Sequence, residues 1–342
     1  MFQLAVVSLL LFGNAGLAPA NLLALSGQRR WPDGQPVTAP CAQTVTRFLD
    51  ILAPGRLESV LAAVARSLLR GKLLDAARLD GRALVAVGGT KQDDYRRLSA
   101  PRRRKYRYVL HAKVVGTDGT AFTVKAAFPK LPICLLGDAL FACEPVFSLC
   151  ESFGWRLALT LKEGSSPAAW GDAMDLPPLR PGNVARVTRD GFLQDTRWVC
   201  GVLFGRRALN VVLQGEVDGT TQYFCAWVTD FPLHSGERAR GVAAAGRSRS
   251  RIEEDYNVQK NGGFGLEHAF RETDRGAADH HLLMRLAHTL WQLLAKGLLR
   301  RETAGCRKLS DECLARLLAS AIQYCGPPSE PLPAFQLRFA DG

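Results

Sequence analysis

Apolar residues recur at three- and four-residue steps through "TVTRFLDIL" (44–52) and "RLESVLAAVARSLLRGKLL" (56–74), which predicts helices within 41–79, punctuated by Gly55 and Gly71. The pattern then changes to short runs rich in β-branched and aromatic residues. "ALVAVGG" (83–89), "YRYVLHAKVV" (106–115) and "AFTVKAAF" (121–128) read as strands, with Asp118-Gly119 as a hairpin turn between the last two. "ICLLGDAL" (133–140), broken by Gly137-Asp138, reads as the end of a buried parallel strand. A helix is expected over Glu144–Ser152, followed by the strand "WRLALTLKE" (155–163). Residues 164–190, rich in Pro, Gly and Asp, read as loop.

From Arg197 the text is β again: "RWVCGVLFG", "ALNVVLQGEV" and "TQYFCAWVTDF", two of them joined across Asp218-Gly219. The segment 280–300 places Leu283, Leu286, Leu290, Leu294 and Leu298 on one helical face, hence in a core. Arg285, His288 and Lys296 make it a poor membrane span, and His280-His281 reads as a surface pair at the helix start. This order of elements predicts an α/β, mixed α+β fold.

Charge narrows the partners. A formal net charge of +12 and a pI near 9.5 favour a polyanion, either nucleic acid or an anionic membrane surface. Seven of the twelve residues 96–107 are Arg or Lys, with Tyr106 among them, which strengthens the nucleic-acid side. The nine cysteines show no C-x-x-C pair, which argues against a disulfide framework or a zinc site and fits small buried thiols in a reducing, cytoplasmic setting. The apolar run Leu4–Phe12 has a signal-like Ala18-Pro19-Ala20 after it but no preceding positive charge. It reads as a buried helix with an upstream part missing, in preference to an export signal.

Chemistry concentrates in "RSRSRIEEDYNVQKNGGFGLEH" (247–268). At about 100° per residue, Arg249 and Glu253 lie about 40° apart around a helix, and Lys260 about 20° from Glu253, so the three share a stripe. Alone, such a stripe reads as a solvated ion-pair face.

The spacing Arg249-x3-Glu253-x6-Lys260 resembles most of the Y-x-x-R-x-x-x-E-x-x-x-x-x-x-K signature of DDE-type insertion-sequence transposases. "IEEDYNVQKNGGFGLEHAF" resembles that family's glutamate helix, "LLGDALFACEPVF" (135–147) the block holding its second aspartate, here Asp138, and "GWRLALTLKEG" (154–164) the strand that follows. The resemblance runs from about residue 40 to 300. It implies a ribonuclease-H-like catalytic core with an inserted β-rich segment and flanking helices. The segments are then an N-terminal helical region 1–79, a first part of the core 80–163, a β-rich insertion 164–235, the glutamate helix and C-terminal part of the core 236–305, and a tail 306–342.

The resemblance also implies a chemistry. Asp138 and Glu253 would be catalytic and would bind Mg²⁺ (or Mn²⁺), because clustered acids hold hard divalent ions and two metals stabilise the attacking and leaving oxygens of a phosphodiester. Arg249, Lys260 and Arg247 would contact DNA phosphates, and the partner would be double-stranded DNA at transposon ends. No membrane partner is expected, and a homodimer is compatible with this reading.

Three departures accompany the resemblance. The family's first aspartate, commonly in Asp-Gly-Thr, corresponds to Gly88 in "VAVGGTK". Asp80 lies eight residues earlier, roughly 26 Å along an extended strand, and Asp93 and Asp94 reach the position only if their loop folds inward. The family's third and fourth strands are expected to be parallel with a helical crossover of about a dozen residues, yet only "PKLP" separates Phe128 from Ile133. The signature tyrosine is Gly246, and Ser250 stands where an aromatic residue often follows the arginine. Together these read as an eroded or internally deleted copy. The rival readings are a catalytically dead DNA-binding remnant and, from another class, an exported binding protein.

Overall fold

The structure is a computed structural model that describes residues 47–48, 50–53, 55–70, 75–93, 106–115, 121–123, 131–189, 191–218, 221–261, 266, 274–293 and 313. The Leu4–Phe12 run, the Asp118-Gly119 turn, Asp94 and most of the basic run 96–107 lie outside them. The fold is mixed α+β, with a central sheet and flanking helices. The chain divides into two compact units, 74–88 with 110–253, and 1–73 with 89–109 and 254–342.

Ten strands form one sheet: β1 (Arg78–Leu79), β2 (Arg82–Asp93), β3 (Tyr106–Val115), β4 (Ala121–Thr123), β5 (Ile133–Gly137), β6 (Arg156–Thr160), β7 (Val184–Arg189), β8 (Phe192–Phe204), β9 (Arg207–Asp218) and β10 (Thr221–Thr229). Their order is β4-β3-β2-β5-β6-β10-β9-β8-β7, with β1 on the start of β2. β2, β5 and β6 run parallel, and β6-β10-β9-β8-β7 are antiparallel neighbours. All five residues of β5 are buried, as a strand flanked by parallel partners requires.

The β-rich text after residue 164 therefore extends the same sheet beyond β6 and shares a compact unit with β5 and β6. The third and fourth of the strands expected around "PKLP", β4 and β5, are not neighbours in the sheet. β4 lies on the far side of β3 and β2, and β5 takes β2 and β6 as partners. The parallel neighbours β5 and β6 are joined through helix α2 (Glu144–Ser152).

Two further expectations are corrected. Residues 164–190 are not plain loop. They form helix α3 (Pro167–Asp175), with Pro at its start, and strand β7. Nine residues with two buried alanines give too little periodicity to read, and the arginines of β7 hide an edge strand. His280 and His281 are not a surface pair, since both are buried in helix α6 (Asp274–Leu293). Of six described cysteines, all free, only Cys134 and Cys150 are buried, which limits the buried-thiol expectation to those two.

In the unit containing α6, helix α1 (Arg56–Arg70) packs on α6 through Leu57, Leu61, Ala65 and Leu68, a stripe of four- and three-residue steps. α6 also buries polar groups. His288 Nδ1 lies 3.2 Å from the Asp255 carboxylate and Gln292 Nε2 donates to it at 3.1 Å, with Gln259 donating from Asp255's own helix. Buried polar groups of this kind are retained because they are paired.

In the other unit the sheet is covered on both faces. Ala226 and Val228 of β10 join Phe147 and Cys150 of α2 and Ala169 and Ala173 of α3 in one core. Trp227, between them in sequence, faces the opposite side, where helix α4 (Gly236–Ser248) lies. α4 starts with Ser235 capping the Arg238 N–H and buries Ala239, Val242, Ala243, Ala245 and Gly246. Its small residues allow close approach. A Cβ on Gly246 would lie 2.3 Å from Trp227 Nε1.

No side chain fits at 246 while the indole stays in place. Gly246→Ala is expected to cost about 1–3 kcal/mol by overpacking and to lower the melting temperature by roughly 3–10 °C. An unchanged melting temperature in circular dichroism would show that α4 does not sit this close to β10.

Candidate active site

Asp138 follows β5 directly and caps the 3₁₀ turn Ala139–Phe141, its Oδ1 accepting the Ala139 N–H at 2.8 Å. Gly137 makes this turn feasible. A Cβ there would lie 2.9 Å from the Phe141 Cβ and 3.0 Å from Leu159 Cδ2. Asp138 thus stands at the carboxyl end of a parallel strand, the edge where open α/β sheets bind ligands.

Glu253 lies in the first turn of helix α5 (Ser250–Asn261), and Arg249 joins α4 to α5 with helical backbone angles. Arg249 donates through Nη2 to Glu253 Oε1 at 2.8 Å. Its guanidinium is 16% exposed and the glutamate 58%, so the arginine is the anchored partner. The Arg249 charge also acts on Asp138. Partial burial opposes ionisation of Asp138, but the Ala139 N–H, Arg249 and Lys162 outweigh it and hold the carboxyl below its ordinary value of 3.8. Arg249 is thus hydrogen-bonded to Glu253 and near enough to Asp138 for its charge to favour the ionised carboxyl.

Lys162 was not singled out from the sequence. It lies two residues beyond β6, and its Nζ is 3.4 Å from Asp138 Oδ1. Its one legible signal is position. β6 is β5's parallel neighbour, with Gly137 in register with Leu159, so cations just past β6 lie beside residues just past β5.

The first-aspartate position is in register with this site. Ala86 pairs with Leu136, and two residues further along each strand come Gly88 and Asp138. Side chains two apart share a face, so an acid at 88 would emerge on the side of Asp138. Glycine supplies none. Asp80 does not replace it, because it occupies the hairpin between β1 and β2 with φ of 49°, followed by Gly81 at 73°, and pairs with Arg238 of α4. Asp93 ends β2, roughly 16 Å beyond Gly88 along an extended strand.

Arg247 is engaged inside the fold. Its Nη1 donates to Glu216 at 2.8 Å and its Nε to Gln214 at 3.0 Å, and Gln194 bonds Glu216 at 2.6 Å. It ties the last turn of α4 to β9. Lys260 lies in the last turn of α5, in the other compact unit.

A two-metal centre does not fit this donor set. Asp138 and Glu253 are each already faced by a protein cation, and the third position is glycine. Among the described residues, no three or more His, Cys, Asp or Glu side chains form a group able to hold a metal. No helix among them is long and apolar enough to cross a membrane. Neither a family model nor a curated protein matches the chain.

The pKa direction gives a test. A carboxyl lowered in the folded state contributes stability above its unfolded pKa, and that stability is lost as pH falls through the folded value. The stability difference between the wild type and Asp138→Asn should therefore shrink on acidification from about pH 6 to about pH 2. A difference independent of pH in thermal unfolding would show that Asp138 is not held by these cations.

Proposed function

We propose that this chain is a DDE-transposase-like DNA-binding protein on a ribonuclease-H-like core, with metal-dependent strand cleavage absent or very weak. The observation that carries this reading is the placement of Asp138 at the carboxyl end of a parallel strand, paired with Lys162 and within electrostatic reach of Arg249, which is itself hydrogen-bonded to Glu253. Asp138 and the 249–253 stretch are the centres of the two blocks that resemble the family. The layout supports the reading further: an acid after a buried parallel strand, β-rich text between it and the glutamate, and a glutamate helix after that text.

The charge balance favours binding over cleavage. Phosphodiester transfer by two metals needs clustered carboxylates to hold both ions and stabilise both reacting oxygens. Here two carboxylates are balanced by Arg249 and Lys162. Around this neutral cluster the chain bears a net charge of +12, which attracts a polyanion without metal. In this reading Arg249 contacts the DNA backbone, Lys260 remains a second proposed contact, and the setting is cytoplasmic. Mg²⁺ or Mn²⁺ would bind weakly, through Asp138 and Glu253.

The expected result is salt-sensitive binding to duplex DNA with little sequence preference, and no nicking of supercoiled plasmid with Mg²⁺ or Mn²⁺. Gly88→Asp should strengthen divalent-ion binding measured by calorimetry. Robust nicking by the unmodified chain, lost in Glu253→Ala, would show that another acid completes an active centre. Affinity unchanged between low and moderate salt would remove the backbone-binding reading.

A further inference from the structure

We propose that Lys162 is a DNA-phosphate contact of this site and that Asp138 holds it in reserve as a competing anion; this rests on the DNA-binding reading above. The position is the one a ligand would use. Lys162 and Asp138 stand just past the ends of adjacent parallel strands, where strand carboxyl termini open towards solvent.

The backbone of Lys162 is fixed while its side chain is free to reach. The residue begins the 3₁₀ turn Glu163–Ser165, and its carbonyl accepts the Ser165 N–H at 3.1 Å and the Ser165 hydroxyl at 2.8 Å. Its side chain is 63% exposed and ends 3.4 Å from Asp138. Ion pairs this exposed are worth little, so the ammonium transfers from carboxylate to phosphate at small cost. Arg249, by contrast, is largely buried and hydrogen-bonded to Glu253. The neighbouring Glu163 is exposed, and Asp138 is the carboxylate that contacts the ammonium.

The arrangement predicts a specific coupling. Removing Lys162 removes one phosphate contact. Removing the Asp138 charge releases the ammonium, so the gain from that change depends on Lys162 being present. A general gain from deleting one negative charge does not depend on it. Asn at 138 can still accept the Ala139 N–H, so the turn is retained.

The test is fluorescence anisotropy with a labelled duplex in EDTA across a salt series, using the full chain. Lys162→Gln should lower affinity roughly five- to tenfold at low salt and reduce the magnitude of the log–log salt slope by about 0.9, while Lys162→Arg keeps the slope. Asp138→Asn should raise affinity about threefold in the wild-type background and have no effect with Lys162→Gln also present. Far-UV circular dichroism spectra like that of the wild type, with melting well above the assay temperature, confirm that the variants are folded. A salt slope unchanged by Lys162→Gln, or an Asp138→Asn gain that persists without Lys162, overturns the role of Lys162 and leaves DNA binding standing. Absence of duplex binding by the wild type at every salt concentration overturns the DNA-binding reading and this role with it.

Discussion

The placement of the site depends on how closely helix α4 approaches strand β10. Gly246 lies against Trp227, and a single added carbon would collide with the indole. From that contact the chain runs three residues to Arg249 and seven to Glu253. Arg247, between Gly246 and Arg249, adds a second tie through Glu216 and Gln214. Two close contacts on one helical turn thus fix the origin of the guanidinium that bonds Glu253. Interiors are packed too densely for such a turn to shift without cost.

Much of this was legible in the chain. The buried run Ile133–Gly137, the helix Glu144–Ser152 and the hairpin at Asp218-Gly219 follow from local pattern, because their periodicity and turn residues agree with their packing. Motif spacing singles out Asp138 and Arg249 with Glu253, and the last two are hydrogen-bonded in the structure. What stayed hidden depends on partners distant in sequence. Arg247 reads as a free cation until β9 supplies Glu216, and Lys162 is an ordinary lysine until β6 lies beside β5. Asp80 looks like a spare carboxylate until Arg238 takes it. α6 reads as a one-sided apolar helix, yet His288 and Gln292 are buried against Asp255.

The electrostatics of the site are those of mutual neutralisation. Asp138 and Glu253 supply two negative charges, and Arg249 and Lys162 two positive ones. A divalent ion would have to compete with cations already attached to the same backbone. A phosphate needs only to compete with a carboxylate for an exposed ammonium. On the proposed reading, glycine at 88 and the cations at 162 and 249 favour the same outcome, phosphate held in preference to metal. The sheet does not oppose it, because β2, β5 and β6 pair in regular parallel register despite the short segment before Ile133.

The most direct measurement is hydrogen–deuterium exchange with and without duplex DNA at low salt. The account predicts slowed exchange in the Asp138–Phe141 turn, around Lys162, and across the α4–α5 junction at 246–254, with little change in β7 and β8. Protection confined to β7 and β8, with these three segments unchanged, would contradict it.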